Sequence, residues 1–563
     1  MASPSLTEPM RVLMVSSRLT GPRRRALAAL ATGGVDVTRT DVMPMASDLP
    51  SPDRYDAVVV DGGTGGLASD WLTALYRHVE AGASLLLIGG DDRTGRRDPA
   101  GPTVTAPLAE WFVKVVSPTS VLAQRVPEEF PVVDRLQLLT LAPSAQVCLS
   151  VSVGFADRPA LTETALGRGR VVSSGLGNTE EALENNELAT VLRRALRRLA
   201  APDRGSRPIG LAVVGYGPYG GMGYLHGAAA QATPGLELVA ACDESTDRRK
   251  AAEAEFPGVR TYPTVAELAR DDDVEVVVVA TPPVSHARIT LELLRAGKHV
   301  ACEKPLCLTV ADADDLLATA RAHHLSLTVN QSRRWDTDFM AIRRVVGAGL
   351  LGEVFNIETF VGGFEHPCRA WHSEASVSGG TVFDWGSHHL DWMLLLMEDM
   401  PSVVHAHGHK RVWHDVTNLD QLRVGLRWSD GREAEFVDSS VAAIRRPKFY
   451  LQGTAGTLAG WYRPLTFERL EPGVGYVAER AHHAEAPAEL TLARYESGGG
   501  VSETRLPLSA PQPFAFHRNL ADHLALGEPL AVTADSIRNV VVLLEAAHRS
   551  SERGGAPIEV APR

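Results

Sequence analysis

Apolar and polar positions change rhythm twice along this chain. Over residues 10 to 200, short apolar runs alternate with stretches of helical spacing. Arg11–Val15, Tyr55–Asp61 and Ser84–Ile88 predict strands, the latter two closing on Gly62-Gly63 and Gly89-Gly90. Trp71–Ala81 predicts a helix, Cys148–Val153 a strand, Thr162–Ser173 a hairpin around Gly167-Arg-Gly169, and Glu180–Leu199 a helix. Strands alternating with helices imply a parallel α/β sandwich. Ala201–Pro208, rich in Pro, Gly, Ser and Arg, reads as a linker.

A second α/β rhythm follows it. Ile209–Val214, Leu236–Cys242, the Val-rich run Val274–Ala280, His299–Cys302 and Leu325–Asn330 predict buried parallel strands. From about Gly352 the period becomes 2. Val354–Phe360, Val403–His409, Leu422–Trp428 and Glu433–Asp438 predict an antiparallel sheet. Pro472–Gly500 reads as loop-rich, and Ala534–Ser550 as a closing helix.

Length and composition bound the function. A chain of 563 residues exceeds one core and predicts two or three domains. A formal charge of -12 argues against a nucleic-acid partner, and the Arg-rich pieces near Arg23 and Arg193 read as solvated helix faces. The longest apolar runs are strand-sized, far short of the roughly 20 residues that span a bilayer, so no membrane partner is expected. No apolar leader precedes Arg11. Five cysteines, an odd number without zinc spacing, predict reduced thiols in a cytoplasmic protein. Cys302 and Cys307 read as small buried residues rather than a redox pair, and His323 and His324 as surface. His405, His407 and His409 share one strand face without a supporting acid, so no metal site is expected there.

Three motifs in the middle of the chain carry chemistry. Gly215-Tyr-Gly217-Pro-Tyr-Gly220 follows a strand and precedes a helix, which aims backbone N–H groups and a helix N-terminus at a pyrophosphate. The glycines continue through Gly221 and Gly223, so the register of the third is open and the loop is up to three residues longer than usual. Asp243 ends the next strand and would accept ribose hydroxyls, favouring NAD over NADP; Arg248 and Arg249 stand close enough to reach a phosphate instead. In Glu303-Lys304-Pro305, the lysine follows a parallel strand at its ligand-binding end and would steady a developing alkoxide. In Asp384-Trp-Gly-Ser-His388, the spacing of four predicts one helix face, and a helix N-terminus favours a neutral imidazole acting as base. The same two residues also fit a helix cap and a structural histidine.

Residues 207 to 563 resemble the Gfo/Idh/MocA family of NAD(P)-dependent oxidoreductases. The resemblance rests on Gly215–Gly220, Ala280-Thr-Pro-Pro-Val-Ser-His286, Glu303-Lys304-Pro305, Asn330-Gln-Ser-Arg-Arg-Trp335, Gly379–Asp391, the turn Gly453-Thr-Ala-Gly456 and the closing Val532–Asp535 with Glu545. It implies a Rossmann domain at 207–330 and, at 331–563, an α+β substrate and oligomerisation domain with an open, mainly antiparallel sheet. It implies that His388 takes a hydroxyl proton, Asp384 orients the imidazole and Lys304 polarises the oxygen. Gly215, Gly217, Gly220, Asp243, Thr281, Pro282, His286 and Glu303 would hold the cofactor; Arg333, Arg334, Trp371 and Asp391 would meet substrate. The expected substrate is a sugar, inositol or related polyol, and the expected assembly a homodimer or homotetramer.

Residues 1–203 resemble a ThuA-like domain, an amidotransferase-like α/β sandwich of flavodoxin-like architecture. The resemblance rests on Tyr55–Gly63, Ser84–Gly90 and Gly167–Asn178. The nucleophilic Cys of an amidotransferase elbow is absent from Leu87–Asp92, so this part is expected to be non-catalytic; Ser16, Asp91 and Asp92 remain as ligand candidates. Besides a dehydrogenase, the constellation is compatible with oxidation followed by elimination, cleaving or isomerising a glycoside with internally recycled NAD, and with a cofactor-dependent sensor.

Overall fold

A computed structural model describes residues 10–16, 23, 26, 27, 30, 35–41, 51–62, 67–89, 105–117, 120, 122, 123, 126–139, 144–154, 156–196, 207–217, 221–368, 370–462, 465–471, 475–481, 486–508 and 511–560. The chain divides into two compact units, residues 1–205 with 522–529, and 206–521 with 530–563.

The first unit is built on one nine-stranded sheet. Its strands are β1 (Met10–Ser16), β2 (Val35–Asp41), β3 (Ala57–Asp61), β4 (Ser84–Ile88), β5 (Thr105–Val115), β6 (Glu129–Gln137), β7 (Gln146–Val153), β8 (Ala156–Leu166) and β9 (Gly169–Ser174). Their order is β2-β1-β3-β4-β9-β8-β7-β5-β6. The expected parallel sheet covers only half of it: β2 to β9 in that order pair in parallel, and β8, β7, β5 and β6 extend it antiparallel. The parallel strands are apolar on both sides because both faces are covered. Val12, Val59 and Leu86 enter one core; Leu13, Val58 and Leu85 enter the other, under Trp71, Leu75 and Val79 of the helix Ser69–Glu80. The single helix expected over Glu180–Leu199 is two, Glu180–Glu184 and Asn186–Leu196. Asn185 breaks it and caps the second piece, its Oδ1 accepting from Leu188 N at 3.0 Å. Residues 197–199 lie outside the described residues.

The second unit begins with a six-stranded parallel sheet. β10 (Ile209–Val214), β11 (Leu236–Cys242), β12 (Arg260–Tyr262), β13 (Val276–Val279), β14 (His299–Cys302) and β15 (Leu327–Val329) run in the order β12-β11-β10-β13-β14-β15. The order reverses between β10 and β13, and the crevice beyond their C-terminal ends is where an open α/β sheet takes its ligand.

A larger sheet follows, from β16 (Val354–Gly362), β17 (Val403–His409), β18 (Gln421–Arg427), β19 (Glu433–Ser439), β20 (Phe449–Gly453) and β21 (Gly456–Trp461). The chain adds a separate hairpin, β22 (Leu465–Glu471) with β23 (Gly475–Ala481), then β24 (Glu489–Tyr495), β25 (Val501–Arg505) and β26 (Ile558–Glu559). The order is β25-β24-β21-β20-β16-β19-β18-β17-β26, antiparallel except for β16 beside β19. The span Pro472–Gly500, expected as loop, holds β23 and β24; Leu490 and Leu492 of β24 are buried in the core. One sheet face is covered by the helices Gly386–Met397 and Ala534–Glu552, whose Leu390, Met393, Leu543 and Leu544 share a core with Val424 and Phe436. On β17, Val404 and Ala406 face that core, while His405, His407 and His409 alternate away from it. Among the described residues, no three His, Cys, Asp or Glu side chains gather as metal ligands, and no helix is long and apolar enough to cross a membrane.

Candidate active site

The dinucleotide cradle is built where β10 ends. Gly215 has φ +88°, and a Cβ there would lie 2.7 Å from Thr281 Cγ2 and 2.8 Å from the Ala280 carbonyl. Only glycine fits so positive a φ and so close an approach. Gly217 packs on Gly221, which precedes the helix Met222–Ala232 without a capping side chain. Gly220 lies outside the described residues. Gly223, inside that helix, is the position where a Cβ would meet Gly217 N at 2.6 Å and Tyr216 Cα at 2.7 Å. The close helix-to-strand contact therefore falls three residues beyond Gly220, and the loop is longer by that amount. Asp243 stands at the end of β11. Its carboxylate accepts from Tyr216 N and Ser245 N, both at 2.9 Å, and lies 3.4 Å from Arg248 Nη1. Glycines whose Cβ would fill the turn, an uncapped helix N-terminus and an acid at the neighbouring strand end together suit a dinucleotide. Thr281 and Pro282 are partly exposed just beyond β13.

Two residues expected to line this cradle are instead spent inside the protein. Glu303 is buried; its Oε1 accepts from His226 Nε2 at 2.9 Å and Asn330 Nδ2 at 2.6 Å. Burial pushes Glu303 up, but the His226 hydrogen bond and charge, Asn330 and Lys304 outweigh it and hold the carboxylate ionised. His286 is 1% exposed, and its ring nitrogens lie 2.7 Å from Pro305 O and 2.6 Å from Thr281 O. It ties the turn after Lys304 to the loop after β13. In both residues the side-chain polar atoms are engaged by neighbours within the protein, which ties the loops together.

Lys304 projects from that turn, where Lys304–Pro305 is cis. Its Nζ lies 2.5 Å from Asp384 Oδ1, with both side chains partly exposed. The expectation that Asp384 orients His388 is corrected here: Asp384 is the partner of Lys304. The helix begins only at Gly386, so Asp384 (ψ -91°) lies outside it and the one-face rule does not apply. Burial raises Asp384, and the Lys304 charge and hydrogen bond bring it below its ordinary value.

His388 is held by a different residue. Gln331 Nε2 donates to Ser387 O at 3.0 Å, which turns its Oε1 toward His388 Nδ1 at 3.1 Å. Nδ1 therefore carries the proton and donates, and Nε2 keeps its lone pair with no protein partner among the described residues. Burial, then the charges of Lys304 and Arg333 and neighbouring His389, push His388 well below the ordinary histidine range. The result is a neutral imidazole with Nε2 as the basic atom.

Of the four expected substrate residues, two are unavailable. Arg334 and Asp391 are 6% and 2% exposed and form a bidentate pair, Nε to Oδ2 at 2.7 Å and Nη2 to Oδ1 at 2.5 Å; Arg334 Nη1 also donates to Ala531 O at 2.5 Å. They are a buried structural ion pair. Arg333 lies over the Trp385 ring, 5.5 Å from its centroid, and 3.5 Å from Asp336. Trp371 is 37% exposed and stacks on His372 at 3.7 Å; burial lowers His372, and Asp384 and Lys304 both act on it. The sequence reading missed Gln331, although it lies inside Asn330–Trp335, and Asp438 on β19, which was visible only as a strand end. Burial and the nearby Asp384 charge push Asp438 up to about 8, against the pull of Lys304.

In the first unit, Ser16 Oγ donates to Asp61 Oδ2 at 2.6 Å, and buried Arg23 donates to both Asp61 oxygens and to the Gly177 and Asn178 carbonyls. This ion pair fills the C-terminal ends of β1 and β3. Asp91 and Asp92 lie outside the described residues.

Residues 209–331 match the model of an oxidoreductase family with an NAD-binding Rossmann fold, and residues 339–459 match the GFO/IDH/MocA C-terminal domain. An uncharacterised oxidoreductase of Schizosaccharomyces pombe is 34% identical, over 61% of this chain and 98% of its own. A 1,5-anhydro-D-fructose reductase of Ensifer adhaerens is 28% identical, over 58% and 92%, and a scyllo-inositol 2-dehydrogenase (NADP(+)) of Bacillus subtilis 25%, over 54% and 85%. A solved NAD-binding protein from Listeria innocua superposes with a TM-score of 0.53 at 26% identity, covering 63% of this chain and 97% of its own. Fold and comparisons define an oxidoreductase with an NAD-binding Rossmann domain. The chain belongs to the Gfo/Idh/MocA family.

Proposed function

We propose that this enzyme moves a hydride between a secondary hydroxyl of a sugar, inositol or related polyol and a nicotinamide dinucleotide. The observation that carries the reading is the pairing of Lys304 Nζ with Asp384 Oδ1 at 2.5 Å, within Coulombic reach of a His388 whose Nε2 is basic and has no partner among the described residues. The loop Gly215–Gly221 and the helix after it would hold the pyrophosphate, with Asp243 and Thr281 beside it; when bound, the nicotinamide supplies the hydride acceptor or donor. The rest falls to this chain. His388 Nε2 takes the hydroxyl proton while the carbon below it loses hydride, leaving a ketone. Lys304 Nζ donates to the same oxygen and stabilises its developing charge. Asp384 holds the ammonium in place, and Gln331 holds the imidazole in the productive tautomer. Asp243 favours NAD; Arg248 beside it, and the NADP(+) named for the Bacillus relative, support NADP as the competitor.

We further propose that the first unit is not catalytic. The absence of a Cys from Leu87–Asp92 and the internal use of Ser16, Arg23 and Asp61 support this.

The test is absorbance of reduced nicotinamide with NAD or NADP and a panel of inositols, aldoses, sugar acids and glycosides. Reduction that Lys304→Ala lowers by about 100-fold or more supports the reading. Turnover unaffected by Lys304→Ala rejects it. Glycoside cleavage without net reduction replaces it with oxidation and elimination on recycled NAD.

A further inference from the structure

We propose that Asp438 is a substrate-contacting residue, its carboxyl group taking a second hydroxyl of an uncharged polyol beside the one engaged by Lys304 and His388. The inference rests on the oxidoreductase reading and adds a residue and a substrate charge to it.

The placement follows from the register of β19. Asp438 pairs with Val361 on β16 and Leu422 on β18, and both of those side chains lie in the core. Directly paired residues point to the same sheet face, so Asp438 points to the core-facing side, under the helix Gly386–Met397. Two residues earlier, Phe436 stacks on His389 at 4.5 Å and approaches Gly386 in the helix's first turn. Ala434 and Phe436 face the core; Asp438 continues that row past the helix start, where Asp384 sits. The Coulombic action of Asp384 and Lys304 on it agrees with that position.

A carboxyl on the inner side of a sheet is costly unless it is paired. Its neighbours across β16 and β18 are apolar, and it makes no hydrogen bond with another described residue. It is only partly buried, and Lys304 and Asp384 lie within Coulombic reach of it. Asp384 and Lys304 act on it, it acts on Tyr462, whose hydroxyl donates to Phe360 O at 2.6 Å, and His389 stacks on Phe436 in the same row. None of them satisfies it. A group with both a donor and an acceptor oxygen, unpaired among the described residues and near Lys304 and Asp384, suits a hydroxyl.

Charge then selects the substrate class. At neutral pH the ammonium of Lys304 and the carboxylate of Asp384 cancel, His388 is neutral, and Asp438 is mostly protonated because burial pushes it up to about 8. Arg333 is offset by Asp336 at 3.5 Å. An uncharged polyol fits this balance better than a sugar acid.

The experiment is steady-state kinetics of wild type, Asp438→Ala and Asp438→Asn, with the best polyol of the panel and its monodeoxy analogues, from about pH 6 to pH 9. Asp438→Ala is expected to raise KM about tenfold to 100-fold, the effect of one buried hydrogen bond, with kcat changed less than about threefold. Asp438→Asn keeps a donor and returns KM to within about threefold. Wild-type kcat/KM falls above about pH 8 as Asp438 ionises beside Asp384, and Asp438→Asn lacks that fall. One deoxy analogue is insensitive to Asp438→Ala, which identifies the hydroxyl. Unchanged KM in Asp438→Ala, or equal losses in both variants with a lowered melting temperature, overturns the proposal and makes Asp438 structural. An active wild type that Lys304→Ala silences, with Asp438→Ala unaffected, rejects Asp438 alone; a wild type silent on every polyol rejects both readings.

Discussion

Removing Asp391 tests whether the Arg334–Asp391 pair holds the fold or meets substrate. Arg334 gives Asp391 two hydrogen bonds, at 2.7 and 2.5 Å, inside a region where both residues are less than a tenth exposed. In Asp391→Ala the guanidinium keeps only the Ala531 carbonyl and is left as a buried charge with two unpaired N–H groups. Breaking one side of a buried ion pair costs about 3–5 kcal/mol. Trp392 adjoins it, its Nε1 donating to Arg333 O at 3.1 Å, so indole fluorescence reports on the region. In urea, with a slope of roughly 3 kcal/mol per molar, the transition seen by fluorescence should move down by roughly 1 to 1.7 M. The double variant Arg334→Met, Asp391→Leu removes both charges at similar volume and should recover most of that loss. A midpoint that stays put in Asp391→Ala while KM rises would refute the structural assignment and return the pair to substrate binding.

Two further outcomes follow from the site. Gln331→Leu leaves His388 Nδ1 without its acceptor, so the tautomer with a basic Nε2 loses about 1–2 kcal/mol of preference; kcat should drop roughly 5- to 30-fold with KM little changed, and an unchanged kcat would remove Gln331 from the mechanism. Acid stability is the second: His388 and His389 are pushed well below the ordinary range chiefly by burial, and His517 to about 3 by burial and His226. The unfolded chain takes these protons below about pH 6.5 and the native one does not, so their contribution is present above that pH and lost as pH falls, about 1.4 kcal/mol per unit for each. Urea midpoints that stay level from about pH 7 to pH 5 would show that these rings titrate normally.

The parallel strands were legible because a short apolar run bounded by turn signals fits a strand buried on both faces. Tyr55–Asp61 and Val274–Ala280 settle into β3 and β13 with every residue of those strands buried. In the antiparallel half of the first sheet, β7 and the β8–β9 hairpin were legible while β5 and β6 were not, and proline explains part of it. β6 carries Pro131, tolerable because β6 is a sheet edge, and β5 carries Pro107 at the register shift between Thr105 and Leu108. A rule that demotes strands containing proline fails where an edge or a bulge needs no ladder N–H. The hidden β24 shows the same gap, since its Leu490 and Leu492 alternate properly inside a stretch whose Ala, Pro and Gly content reads as loop.

At the site, the motifs named candidate residues but not their partners. Lys304 pairs with Asp384, yet the spacing of four between Asp384 and His388 was read as a shared helix face. That inference needs both residues inside the helix, and a boundary two residues later than expected undoes it. Asp384 then turns to Lys304, 80 positions away in sequence, and His388 to Gln331, 57 positions away. Glu303 and His286, expected at the cofactor, have their side-chain polar atoms engaged inside the protein for a related reason. Their local sequence puts them beside the cradle, but His226 and the carbonyls of Thr281 and Pro305, brought in by other loops, consume their polar atoms. Spacing along one element predicts which side chains share a surface. Which atoms remain free for a ligand is decided by neighbours from other elements, so a buried polar residue next to a motif is better read as its support until its hydrogen bonds are counted.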